Sequence, residues 1–250
     1  MDERLFGSAA QMVAAENYND WTFDLFQHYV AGSVLEVGCG VGAFTKRIIE
    51  RCRFERLLSI DISAHAVAYC RARLGHPALE FRCVDVEEVL GEFDTIICIN
   101  VLEHVQDDRF ILAHMLSLLR PTGTLFLLVP AHSFLFTSFD KASGHLRRYN
   151  KQHMQRLLLE AANGACIQFT QFYFNPIGAL GYLLVYKILR KAPRTSAAAE
   201  IAFFDKWGVP MMRPLQGQNM PFGISLVSVI TKGDNSTPQG INASTDGHGV

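Results

Sequence analysis

Nothing in this chain restricts its fold more than the run Val34-Leu35-Glu36-Val37-Gly38-Cys39-Gly40-Val41-Gly42. A short apolar stretch runs directly into three alternating glycines, and Phe44–Cys52 then repeats its apolar residues at helical spacing. A strand that turns sharply into a helix is the opening unit of a ligand-binding α/β sheet. Glycines at such a turn allow the tight bend and let a ligand come close to the backbone. Gly38, Gly40 and Gly42 are therefore candidate ligand-binding positions. Because Ala43 follows Gly42, the run also satisfies the dinucleotide pattern G-x-G-x-x-G/A, so the glycines alone leave NAD or a flavin open.

The same alternation continues along the chain. Strands are expected at Val34–Val37, Leu57–Ile60, Phe81–Val84, Thr95–Ile99 and Thr124–Val129, and helices at Phe44–Cys52, Ala64–Leu74 and Phe110–Leu119. A first helix is expected over about Ser8–Tyr29. Strands alternating with helices predict an α/β fold, a Rossmann-like doubly wound sheet with helices on both faces. Farther on, Ala131–Asn150 reads as a loop, Lys151–Ala162 as a helix, Ile167–Phe174 and Ile224–Thr231 as strands, and Pro176–Arg190 as an apolar helix. The 250 residues suit one domain over 1–232 with an apolar insertion at about 175–215. Residues 233–250 are rich in Gly, Ser, Thr and Asn and predict a flexible tail.

Two carboxylates narrow the ligand. Asp61 closes the second strand, where it can accept hydrogen bonds from both hydroxyls of a ribose. Asp85 ends the third, where it can take an adenine amino group. The first is shared with NAD enzymes; the second is not part of that fingerprint. Each could instead cap a helix.

With Glu36, Asp61, Asp85 and the segment Phe93-Asp94-Thr95-Ile96-Ile97-Cys98-Ile99-Asn100-Val101-Leu102-Glu103-His104, the glycine run resembles class I S-adenosylmethionine-dependent methyltransferases of the small-molecule type. Leu119-Arg120-Pro121-Thr122-Gly123-Thr124-Leu125 resembles the turn before their fifth strand, with Thr122 where Gly is commoner. The likeness covers about Tyr18 to Pro130. It implies S-adenosylmethionine as cofactor, held by Glu36, Gly38, Gly40, Gly42, Asp61, Asp85 and Asn100. It also implies a seven-stranded sheet with the last strand antiparallel. Val129-Pro130-Ala131, Phe139-Asp140, Gly144-His145-Leu146-Arg147-Arg148-Tyr149, Asn175-Pro176-Ile177-Gly178 and Pro221-Phe222-Gly223-Ile224-Ser225-Leu226 are similar to a bacterial subgroup that accompanies envelope-glycan and lipid genes. That setting suggests a small-molecule or lipid-linked methyl acceptor.

Methyl transfer from a sulfonium needs alignment and, for some acceptors, a base. His104, His132 and His145 are the candidates, since a histidine titrates near neutrality. His145 is preferred narrowly, because Arg147 and Tyr149 beside it could hold an acceptor. Arg147 and Arg148 could clamp a phosphate or carboxylate, or pair with Asp140 or Glu103. No metal is called for: the six cysteines have no paired spacing and read as reduced thiols of a cytoplasmic protein. Met1–Gly7 carries charges and no long apolar run, so no signal peptide is expected. The net charge of -1 argues against nucleic acid as a partner.

Pro176–Tyr186 has no charge, and Lys187, Arg190, Lys191 and Arg194 follow it. The stretch is too short to span a bilayer. Peripheral membrane contact through 176–194, a dimer contact and a pocket lid all explain it. An NAD-dependent oxidoreductase and a non-catalytic cofactor-binding regulator stand as alternatives to the methyltransferase.

Overall fold

The computed structural model describes residues 15–184, 202–217 and 220–233. The strands are β1 (Ser33–Val37), β2 (Arg56–Asp61), β3 (Leu79–Cys83), β4 (Phe93–Ile99), β5 (Leu119–Pro130), β6 (Ile167–Phe174) and β7 (Ser225–Lys232). They form one seven-stranded sheet in the order β3-β2-β1-β4-β5-β7-β6. β2 pairs in parallel with β1 and β3. β7 lies antiparallel between β5 and β6, with Leu128 opposite Val227 and Val227 opposite Phe172. Every residue of β1 is buried, Ser33 and Glu36 included, as in a strand covered on both faces.

The helices are α1 (Glu16–Asp24), α2 (Ala43–Arg51), α3 (Ala64–Arg71), α4 (Asp108–Leu118), α5 (Ser138–Ala142), α6 (Lys151–Ala162), α7 (Pro176–Tyr182) and α8 (Val209–Met212). Side chains start several of them. Ser63 Oγ accepts from Ala66 N at α3, Asp107 from Phe110 N at α4, and Asn150 from His153 N at α6. Each satisfies an amide that the helix leaves unpaired. Asn163, at φ 46, closes α6 in the left-handed conformation that Asn tolerates.

The chain divides into two compact units, Met1–Ile97 with Arg194–Leu215, and Cys98–Pro193 with Gln216–Val250. In the first unit α3 packs on β2 and β3. Buried Arg47 of α2 joins α1 by pairing with Glu16 and Asp20, both at 2.7 Å. The return segment is tied to α1 through Asp205, whose carboxylate accepts from Tyr18 N at 2.8 Å and Asn17 N at 3.2 Å. In the second unit α4 packs against α6 and β5 over a core that includes Met115, Phe126, Leu158 and Phe174.

Most expected elements are present within a residue or two. Four readings change. The stretch Ala131–Asn150 is not an open loop: it holds a 3-10 turn at Ser133–Leu135, the capped helix α5, and a bridge from Ala131 to Tyr149 that returns it to the end of β5. Asp85 stands beyond the end of β3 and starts a 3-10 turn. β5 begins at Leu119, directly after α4. The first helix is shorter than expected, running Glu16–Asp24 before a 3-10 turn at Gln27–Tyr29; its expected start at Ser8 lies outside the described residues. So do the expected tail, apart from Gly233, the basic cluster Lys187, Arg190, Lys191 and Arg194, and the later part of the expected helix Pro176–Arg190. Among the described residues no helix is long and apolar enough to cross a membrane.

Candidate functional site

In the first unit the glycine turn stands where β1 ends, beside the point at which the strand order reverses. That switch point is where open α/β sheets bind ligands. All three glycines are left-handed, with φ of 78° at Gly38, 52° at Gly40 and 79° at Gly42. The amides of Gly38 and Cys39 both donate to Ile60 O at 2.9 Å, which ties the turn to β2. The glycines then part in role. A Cβ on Gly42 would stand 2.6 Å from Leu74 Cδ1 and 3.0 Å from Cys70 Sγ, so this residue packs against the unit's own core. A Cβ on Gly40 would meet nothing within 4 Å, which leaves an open approach to the backbone.

Asp61 is buried at the end of β2 and anchors that turn. Its Oδ2 accepts from Gly40 N and its Oδ1 from Ser63 N, both at 2.8 Å. Glu36, buried on β1, accepts from the hydroxyls of Thr45 at 2.5 Å and Ser59 at 2.7 Å. Burial raises its pKa, although both hydroxyls favour the anion. Asp85 is exposed and caps the short turn Val86–Glu88, with Glu88 returning the bond to its amide. The capping role weighed for Asp85 is thus present. For Asp61 the local role is different: it holds the glycine turn.

In the second unit Asn100 follows β4 with φ 53°, exposed, its amide donating to Leu128 O at 2.8 Å. A 3-10 turn at Leu102–His104 then buries Glu103 and exposes His104. Both Glu103 oxygens are buried with no hydrogen-bond partner among the described residues, and burial pushes its carboxyl up to about 8. The rings of His104 and His145 meet edge to face at 4.9 Å. His104 Nδ1 lies 3.2 Å from Gly144 O, and His145 Nδ1 lies 3.0 Å from Asp140 Oδ1. Both acceptors are oxygens, so in each ring Nδ1 carries a proton. Burial, then His145, lower the pKa of His104.

Asp140 is the hub of this unit. It is fully buried and accepts from Arg148 Nε at 2.7 Å, Tyr182 OH at 2.6 Å and Thr137 N at 2.8 Å as well as from His145. Burial opposes its ionisation, but the bonds from His145, Tyr182 and Arg148 hold it well below the usual carboxylate range. The signal for part of this was present: Thr137-x-x-Asp140 has the spacing of a capping box, and it starts α5. Nothing in the apolar run around Tyr182 announced its part.

The other nominated residues are committed elsewhere. Tyr149 is fully buried, its hydroxyl donating to Asp108 Oδ2 at 2.9 Å and lying 3.2 Å from Leu102 O. Arg147 pairs with Asp108 at 2.7 Å. Neither flanks His145 as a free clamp, and the grounds for preferring that histidine over its neighbours shift from these two residues to Asp140. His132 has a strained backbone, φ 61°, and its ring lies among Tyr173, Phe222 and Phe134 at 4.5, 4.7 and 5.2 Å.

Residues 35–125 match the family model described as a methyltransferase domain. The chain is 35% identical over 101 residues to the mitochondrial ubiquinone biosynthesis O-methyltransferase of Saccharomyces cerevisiae, a match covering 38% of this chain and 32% of that protein. Across the first curated relatives the matched share of their length runs from 19% to 41%. Among solved structures, the chain resembles the Haloferax volcanii methyltransferase in complex with the Trm112 activator, with a TM-score of 0.59 and 16% identity over 89% of this chain and 95% of that one. It also resembles the plantazolicin methyltransferase BpumL, with a TM-score of 0.54 and 13% identity over 90% and 85%.

Proposed function

We propose that the protein is a class I methyltransferase that transfers a methyl group from S-adenosylmethionine to a small acceptor, a reading supported by the match of residues 35–125 to the methyltransferase-domain model. The observation that carries the proposal is the open cradle at Gly40, left-handed and clear of side chains, held in place by Asp61. That space suits a ligand lying against the backbone. Gly38, Gly40, Glu36, Asp61 and Asp85 would hold it, Asp61 being placed to take the ribose and Asp85 the adenine. S-adenosylmethionine supplies an electrophilic methyl on a positively charged sulfur. The chain's residues hold, orient and shield it.

We assign acceptor activation to the His104–His145 pair. Asp140 fixes the ring of His145, and Nε2 of the neutral ring can accept a proton or hold a polar group. The relatives named for ubiquinone biosynthesis and plantazolicin favour a small-molecule acceptor. A lipid-linked one is the finer reading. On α7, Ile177 and Leu180 with Leu184 just beyond it are exposed at spacings of three and four, while Ala179 is buried. One face packs inward and an apolar stripe faces out, an arrangement suited to a membrane surface.

Calorimetry tests the proposal. S-adenosylmethionine or its demethylated product should bind at micromolar levels and NAD should not. Binding of NAD with no heat from the other two would replace the methyltransferase reading with the oxidoreductase one.

A further inference from the structure

From the geometry of the second unit we infer that Glu103, His104 and His145 bind a divalent transition-metal ion, with Asp140 orienting one of the ligands. One ring nitrogen of each histidine and a Glu103 oxygen lie within 4.8 Å of one another. His145 Nε2 faces Glu103 Oε1 at 3.9 Å. Zinc bound by nitrogen and oxygen at about 2.0–2.2 Å needs ligand atoms roughly 3.4 Å apart, so modest side-chain rotation closes the set.

Three independent features favour a cation here over a chance gathering. Glu103 is completely buried with neither oxygen hydrogen-bonded among the described residues. A buried carboxyl without hydrogen bonds is costly in its charged form, and a cation is a partner that stabilises that form. Both histidines, moreover, spend Nδ1–H on a fixed oxygen, Gly144 O for one and Asp140 for the other. Metal-binding histidines are held this way: the second nitrogen donates to a carbonyl or carboxylate, which fixes the ring and its tautomer. Finally, Asp140 is itself held by Arg148, Tyr182 and Thr137, so the support extends one layer further out.

Two imidazoles and one carboxylate suit ions of intermediate softness such as zinc, iron(II), manganese or cobalt better than magnesium or calcium. Exposure of His104 leaves a side open for an outside ligand. An acceptor hydroxyl coordinated there would lose its proton more readily, since a bound cation lowers the pKa of an oxygen it holds. The inference thus deepens the acceptor-activation assignment, on which it rests for its biological use but not for its test.

The test uses chelator-treated full-length protein and cobalt(II) as the probe, with zinc calorimetry in parallel. One equivalent of cobalt should bind and give weak visible bands without a sulfur charge-transfer band, and excess magnesium should not displace it. His104→Ala, His145→Ala and Glu103→Gln should each weaken binding tenfold or more, and Asp140→Asn by about ten- to a hundredfold through the lost orientation of His145. Because His104 is exposed, its variant keeps the fold even if the Glu103 variant does not. No stoichiometric cobalt binding, unchanged binding in His104→Ala, or a thiolate band pointing to a cysteine such as exposed Cys83 would each overturn the inference. S-adenosylmethionine binding, measured on the same samples, separates the two ideas. Its persistence without cobalt binding leaves the proposed function standing, and cobalt binding without it removes the methyltransferase proposal alone.

Discussion

At the scale of single residues, the two glycines that look alike in sequence have different jobs. Gly40→Ala adds a methyl to open space, so the fold should survive at a cost of about 1 kcal/mol for the left-handed backbone, while S-adenosylmethionine binding falls tenfold or more. Gly42→Ala drives its methyl into Leu74 and Cys70, and its main effect should be a lower unfolding midpoint. Thermal melts with and without ligand separate the two. Thr122 presents the opposite case. The sequence places a threonine where the resembling family more often has glycine, and the structure puts it at φ 66° on an exposed turn. A left-handed β-branched residue costs about 1–2 kcal/mol, against roughly 0.5–1 kcal/mol of extra chain entropy for glycine. Thr122→Gly should therefore raise stability by up to about 1 kcal/mol, read from the denaturant midpoint. Among the histidines, His104→Ala and His145→Ala should cut turnover about a hundredfold with cofactor binding intact. His132→Ala should act mainly on stability, because its ring is wedged among three aromatic side chains.

At the scale of elements, α1 and α2 are joined by one buried cation. Arg47 pairs with Asp20 and Glu16 and also donates to Ala43 O and Glu16 O. Burial works against ionisation of Asp20, but Arg47 and then Arg51 bring its pKa below the ordinary 3.8. A depressed carboxyl stabilises the fold above its unfolded pKa, and that contribution is lost as pH falls through the folded one. Wild-type protein should lose part of its stability below about pH 4 through this pair, and Arg47→Met should flatten that portion of the profile in urea titrations. α7 poses a different question, since its stripe is exposed among the described residues. Liposomes of anionic lipid should pull down the protein, less so in high salt, and Leu184→Glu should release it without unfolding. Protein that ignores liposomes in low salt returns the stripe to a dimer contact or a lid. Here the sequence was partly misleading. Its apolar residues surround the helix, and only the packing of Ala179 and the anchoring of Tyr182 to Asp140 show which side is inward.

At the scale of the whole molecule, what could be read beforehand was what short range controls. β1 to β5 announce themselves as apolar runs broken by glycine or helical spacing, and the binding turn follows from three glycines and a carboxylate close in sequence. Pairing across long intervals was not readable. No local pattern says that β7 enters between β5 and β6; the resemblance implied only that the last strand runs antiparallel. The hub at Asp140 eluded the sequence for the same reason, because Tyr182 reaches it from forty-two positions away. The stretch 131–150 reads as a loop because its elements are a single turn or little more, too short to show a period.

The place of β7 has a consequence for how the chain is made. β5 finds its antiparallel neighbour about a hundred residues later, Thr124 opposite Thr231. At synthesis rates of roughly 5–20 residues per second, that interval is about 5–20 seconds. Through it, the newborn segment Leu125–Val129 waits with one row of amides and carbonyls unpaired. β2 faces no such delay, for both its neighbours, β1 and β3, leave the ribosome close to it. The second unit is accordingly where a nascent chain needs a holding chaperone, and where hurried expression should deposit aggregate first.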